Sequence, residues 1–153
     1  MSAFSVLPIR ESRAQVCREI LGELPDWFGI PEALEAYVSV AEQSDMFGCV
    51  NGGIVGGFVV VRKTSEVTTE IHVMAVRPSL HRRGLGSELV DVAARWAKDN
   101  GSRYLTVKTM GPSRSNAAYD ATRKFYTSVG FEPIEEIEGT WPGIPCLLMI
   151  KSV

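Results

Sequence analysis

The chain has 153 residues, 45% hydrophobic and 22% charged, the balance of a globular domain and not of a disordered or collagen-like chain. Sixteen Lys and Arg against eighteen Asp and Glu leave a net charge of -2, so no basic excess marks a nucleic-acid binder, and the longest apolar run, 52–61, is too short and glycine-rich to span a membrane. Cys17, Cys49 and Cys146 lack CxxC spacing and only two histidines accompany them, which excludes a zinc site and, with no apolar signal segment, predicts a reduced cytoplasmic protein folded as one domain over 1–153.

Residues 4–9 read as a first strand. Ser12 stands before a helical segment in which Val16, Ile20, Leu21 and Leu24 recur at helical spacing, and Pro25 is expected to end it. LPDWFGI reads as an aromatic loop. Pro31 then opens a second helix with Leu34, Tyr37, Val38 and Ala41 on one face. On it Glu32, Glu35, Glu42 and Asp45 read as a solvated face. MFGCV and IVGGFVVV flank Asn51-Gly52-Gly53, a strong hairpin signal. The next strand, 67–76, alternates Val67, Thr69, Ile71, Val73 and Ala75 on one face with Glu70, His72, Met74 and Val76 on the other. Pro78 stops it.

From Leu85 to about Asn100 the period is helical, with Leu85, Leu89, Val92, Ala93 and Trp96 in register and Gly101 as the stop. Residues 104–109 read as a strand and 116–129 as a helix ended by Gly130. A closing strand pair, 131–137 and 146–151, surrounds GTWPGIP. The order of strand, two helices, three strands, helix, strand, helix and two strands predicts an α/β fold. Its sheet is mixed and mostly antiparallel, with six to seven strands flanked by about four helices.

HRRGLG, residues 81–86, falls between a strand end and a helix start. Two glycines let the backbone approach a ligand closely, and the first helical turn adds unpaired N–H donors at the positive end of the dipole. Arg77, Arg82 and Arg83 reverse the overall charge locally, which suits phosphate. A solvated glycine turn is the plain alternative. A dinucleotide fingerprint fails because Leu89 stands where glycine is needed, and a Walker loop fails for want of Gly-Lys-Ser/Thr.

IHVMAV, HRRGLG, the helix that follows and FYTSVGF together resemble the GNAT superfamily of N-acetyltransferases. KTMGPSRSNAAYDATRKFYTSVGF and LPDWFGIPEA resemble a subgroup of its small bacterial members. The resemblance implies the acyl-CoA N-acyltransferase fold and acetyl-CoA as acetyl donor. Arg82, Arg83, Gly84, Leu85, Gly86 and Ser87 would then cradle its phosphates. Met74, Ala75 and Val76 would pair with the pantetheine arm in a gap between this strand and 104–109. His81 stands at the family's Gln/Arg position and Tyr119 where an Asn is common. Asn116, one turn earlier, either substitutes as a cofactor contact or caps the helix.

Acetyl transfer to an amine by direct attack in a ternary complex needs no enzyme nucleophile, so the cysteines are assigned to structure. By the resemblance, Tyr126 of FYTSVGF is the proton donor to the leaving thiolate; packing against Phe125 and Phe131 is the alternative. Glu70 and His72 share a strand face, their Cβ atoms about 7 Å apart, and are the candidate general bases; solvation or half-burial is the alternative. Trp27, Phe28, Tyr37 and Trp141 are the candidate walls of the acceptor pocket, against the common fate of aromatics in cores. The implied partner is a small-molecule or peptide amine, with no nucleic acid and no membrane, and a homodimer is left open. The competing function is a non-catalytic acetyl-CoA sensor or interaction module of the same fold.

Overall fold

The computed structural model describes residues 3–153. The N-terminal half runs β1 (Ser5–Ile9), α1 (Arg13–Gly22), α2 (Pro25–Phe28), α3 (Pro31–Glu42), β2 (Asp45–Asn51) and β3 (Ile54–Lys63). The rest runs β4 (Thr68–Val76), α4 (Leu85–Asp99), β5 (Tyr104–Met110), α5 (Ala117–Ser128), β6 (Glu132–Trp141) and β7 (Ile144–Ser152). The strands form one seven-stranded mixed sheet in the order β1-β2-β3-β4-β5-β7-β6. With four long helices this is the α/β architecture expected from the sequence. Among the described residues no helix is long and apolar enough to cross a membrane.

Local differences have local causes. α1 ends at Gly22, before Pro25, which opens the single turn α2 inside the stretch read as a loop; a fixed φ and a missing N–H suit the first helical position. Ser12 holds the N-cap position of α1 without a side-chain bond. Asp45 leaves the acidic face proposed for the second helix: it begins β2 and accepts from Trp96 Nε1 at 2.9 Å. At the β2–β3 hairpin Asn51 pairs with Ile54, so the two-residue turn is Gly52-Gly53, both at positive φ, as a primed turn requires. Trp141 extends β6 into the supposed closing loop, and the turn shrinks to Pro142-Gly143.

The sheet divides the core in two. On one face α4 and α5 pack on Val59, Val61, Ile71, Leu105 and Val107; on the other α1 and α3 pack on Met46, Phe58, Val60, Val73 and Ala75. Leu89, Val90 and Ala93 of α4 are completely buried, and each large apolar side chain so buried contributes about 1.5–3 kcal/mol. Cys17, Cys49 and Cys146 are buried free thiols.

Two features of β4 position the site. Val60 pairs with Val73 but Val61 with Ile71, so His72 is an extra residue in a bulge. Regular alternation would place Ile71, Val73 and Ala75 together. Instead Ile71 joins Met74 and Val76 on the α4 side, while Val73 and Ala75 join the α1–α3 side. One inserted residue reverses the facing of the strand beyond it, which corrects the face assignment made from the sequence. The second feature is a parting of strands. β4 and β5 run parallel and pair only from Thr68 with Tyr104 to Ile71 with Val107. Beyond that β4 stays with β3 and β5 with β7, and the middle of the sheet opens.

Candidate active site

The opening leads into a cavity of about 620 Å³. Its first end is the turn before α4. Arg82 and Gly84 are both left-handed, at φ 64 and 79. No side chain caps α4, so its first-turn N–H groups stay available in a turn whose left-handed residues gather such donors on one side. A non-glycine residue in this conformation costs about 1–2 kcal/mol; Arg82 shares it with Ser12, before α1, at φ 58. His81 Nε2 lies 2.7 Å from the Val76 carbonyl and ties the turn to the end of β4.

Arg82, Gly84, Leu85, Gly86 and Ser87 line the cavity. Arg83 is exposed beside it and outside the lining. Arg77 does not join the arginine cluster: it pairs with Glu23, the C-cap of α1, and, at 3.8 Å, with Glu19 of α1. The glycines serve different ends. A Cβ on Gly84 would meet nothing, so the positive φ selects glycine there; one on Gly86 would lie 3.0 Å from the Phe125 ring. Gly86 therefore admits α5 against α4, a packing reason beside the expected close approach to phosphate.

Met74, Ala75 and Val76 form one wall of the cavity and Thr109 another. Thr109 is 4% exposed and its Oγ1 has no hydrogen-bond partner among the described residues, an orphan that a ligand would satisfy. Tyr126 also faces the cavity, packed at 5.4 Å against both Phe125 and Phe131. Burial pushes its phenol well above the usual value, so the hydroxyl keeps its proton at neutral pH. Asn116 caps α5, its Oδ1 accepting from Tyr119 N at 3.2 Å, and it does not line the cavity.

The far end is built by side chains. Trp27, Phe28, Tyr37 and Trp141, the four aromatics singled out in the sequence, all line the cavity. Phe28 meets Tyr37 edge-on at 5.7 Å, and Tyr37 meets His72 at 5.4 Å. Glu70 is 5% exposed and stays behind this surface, outside the lining. Three groups hold it: the cations Arg62, with Nε at 3.2 Å, and Lys108, with Nζ at 3.3 Å, and the His72 ring, with Nδ1 at 3.2 Å. Burial works to raise its pKa, but the His72 hydrogen bond and the charges of Lys108 and Arg62 outweigh it and hold the carboxyl at about 2. An ionised carboxylate only accepts, so Nδ1 of His72 carries the proton and Nε2 is left as the basic nitrogen. The cysteines offer no nucleophile, since burial pushes Cys17 to about 12 and Cys49 to about 11 and also raises Cys146.

Because the sheet is parted here, α2 on one face reaches α5 on the other. Trp27 Nε1 donates to Thr122 Oγ1 at 2.9 Å, Tyr119 OH donates to the Trp27 carbonyl at 2.8 Å, and the Trp27 ring stands edge-on to His81 at 6.3 Å. Lys108, Thr109, Tyr119 and Thr122 were not read as site residues. For Lys108 a signal existed: it is a lone cation between Val107 and Thr109 in a strand that otherwise buries alternate positions. The other three depend on contacts between distant elements, for which sequence carries no local sign.

A family model described as the acetyltransferase (GNAT) domain matches residues 35–133. No curated protein sequence matches the chain. Solved structures do match in fold. Ard1 from Thermoplasma volcanium superposes with a TM-score of 0.78 at 17% identity, over 99% of both chains. The ribosomal-protein-S18-alanine N-acetyltransferase from Escherichia coli gives 0.76 at 16%, over 98% of this chain and 94% of that one. A GNAT family acetyltransferase from Elizabethkingia anophelis with acetyl-CoA bound gives 0.73 at 17%, over the whole of both.

Proposed function

This chain belongs to the GNAT acetyltransferase family, and from that premise we propose that it transfers the acetyl group of acetyl-CoA to an amine by direct attack in a ternary complex. The observation that carries this reading is the parting of β4 from β5 into a cavity with a donor-rich turn at one end and a protonated Tyr126 in its wall. The Elizabethkingia neighbour, of the same fold, binds acetyl-CoA. The three buried thiols fit a reducing cytoplasm.

Acetyl-CoA supplies an acetyl group already activated as a thioester. The residues here divide the remaining work. N–H groups of the turn and first helical turn, at Arg82, Gly84, Leu85, Gly86 and Ser87, hold the diphosphate, and the nearby Arg83 adds attraction from solvent. Met74, Ala75 and Val76 offer an unpaired strand edge to the amides of the pantetheine arm, and Thr109 Oγ1 offers one more polar partner. Tyr126 donates a hydrogen bond to the departing sulfur; a thiol ionises near pH ~8.5, well below this raised phenol, so the proton stays on the phenol and CoA leaves as a thiolate that takes its proton from water. His72 Nε2 takes the proton released by the attacking amine. Glu70 is a positioning residue: a carboxylate held at about 2 is too weak a base near neutral pH, but it fixes the imidazole tautomer. Asn116 stays with the helix cap.

The test is thiol release from acetyl-CoA with an amine panel, in the native protein and in Tyr126→Phe. The ring is kept, so packing on Phe125 and Phe131 survives while the donor is lost. Turnover is expected to fall by roughly 10²-fold with acetyl-CoA affinity little changed, because the hydrogen bond meets charge that appears only as the thioester breaks. Equal turnover would assign Tyr126 to the core. Tight acetyl-CoA binding with no turnover of any amine would leave a binding module.

A further inference from the structure

We infer that the acceptor is a small monoamine with a flat apolar body and a carboxylate, of the aromatic amino-acid type, and not a polycation. This rests on the acetyl-transfer reading and concerns the end of the cavity away from the turn. Three observations carry it. First, among the described residues no Asp or Glu lines the cavity, although acidic residues outnumber basic ones in the chain as a whole. A site for a polyamine or an aminoglycoside would have to place carboxylates where the extra ammonium groups go, since an unpaired buried charge is costly.

Second, the charge present is positive. Glu70 faces Arg62 and Lys108 as well as His72, so one negative charge meets two permanent positive ones. The surplus disfavours an ammonium and favours the neutral amine, which is the form that attacks. Lys108 lines the cavity with its side chain 39% exposed and is the group a substrate carboxylate would meet. His72 and Lys108 are bound to the two oxygens of the same Glu70 carboxylate. They thus gather around one carboxylate group, and an α-amino acid brings an amine for the one and a carboxylate for the other. Third, Tyr37 stands edge-on to His72 and Phe28 to Tyr37, and Trp141 lines the same cavity, flat walls that suit a ring stacked or edge-on.

The experiment compares phenylalanine with phenethylamine, which differ only in the carboxylate, beside alanine, spermidine and an alanyl peptide. The native protein and Lys108→Met are both assayed. Phenylalanine should exceed phenethylamine in kcat/KM by roughly tenfold, since a site that pairs a charged group rejects the analogue lacking it, with spermidine lowest. Lys108→Met should bring the two aromatic acceptors close to parity. Calorimetry supplies a readout that needs no turnover: N-acetylphenylalanine should bind the CoA-saturated protein more tightly than N-acetylphenethylamine. Equal binding of that pair, no binding of either, or a preference for phenethylamine, spermidine or the peptide would overturn the inference while leaving acetyl transfer in place. Failure of acetyl-CoA itself to bind would instead bring down the acetyl-transfer reading.

Discussion

Residues 81–87 are consecutive in the chain, and what they bring to the cavity is mainly backbone: left-handed turns, an uncapped helix start and N–H groups. At the other end Tyr37, His72 and Lys108 come from α3, β4 and β5 and bring side chains. A turn that offers backbone donors depends on few side chains. A pocket that must choose one amine is written in residues scattered along the chain. The first end is therefore sensitive to backbone conformation and the second to charge and side-chain contact.

Acid should break the second end first. Glu70 is ionised in the fold down to about pH 2, against a usual 4.5. Its depressed pKa contributes stability that is complete above 4.5 and is lost as pH falls from there toward 2. Half-exposed Arg62 and Lys108 are screened by solvent, so the contribution is about 2 kcal/mol and not the full value of the shift. Urea unfolding of the native protein and Glu70→Gln should show a clear gap at pH 7 that narrows at pH 3. A gap of the same size at both would mean that the carboxylate is not what its three partners stabilise.

The first end should answer to a single methyl group. Gly84→Ala meets no neighbour, yet the left-handed conformation costs an alanine about 1 kcal/mol. Acetyl-CoA affinity should fall about fivefold as the turn relaxes, with the acceptor preference intact. Affinity unchanged by calorimetry would remove the turn from the binding surface. Gly86 is a poorer probe, because a larger residue there displaces Phe125 before it touches a phosphate.

The smallest effect separates two adjacent arginines. Acetyl-CoA binding should weaken with salt, and Arg82→Ala should lower affinity by about two- to threefold and flatten that dependence more than Arg83→Ala, since only Arg82 lines the cavity. Equal slopes for the two variants would show that both act through the general field.

The sequence by itself determined the order of the strands and long helices, the turn between β4 and α4 and the apolar faces of the helices, because those properties are periodic or contiguous. Leu85, Leu89 and Ala93 recur on one side of α4, and HRRGLG lies between a strand and a helix whatever surrounds it. Tertiary structure decided the rest. A bulge at His72 reversed the facing of β4, and the parting of β4 from β5 let Trp27 reach Thr122 across the sheet. Packing likewise surrounded the Glu70 carboxylate with Arg62, His72 and Lys108. The physical reason is the same in each case. A strand's period fixes its faces only while pairing is regular, and the pairing of each strand and the electrostatics of each buried charge are set by neighbours that lie far away along the chain.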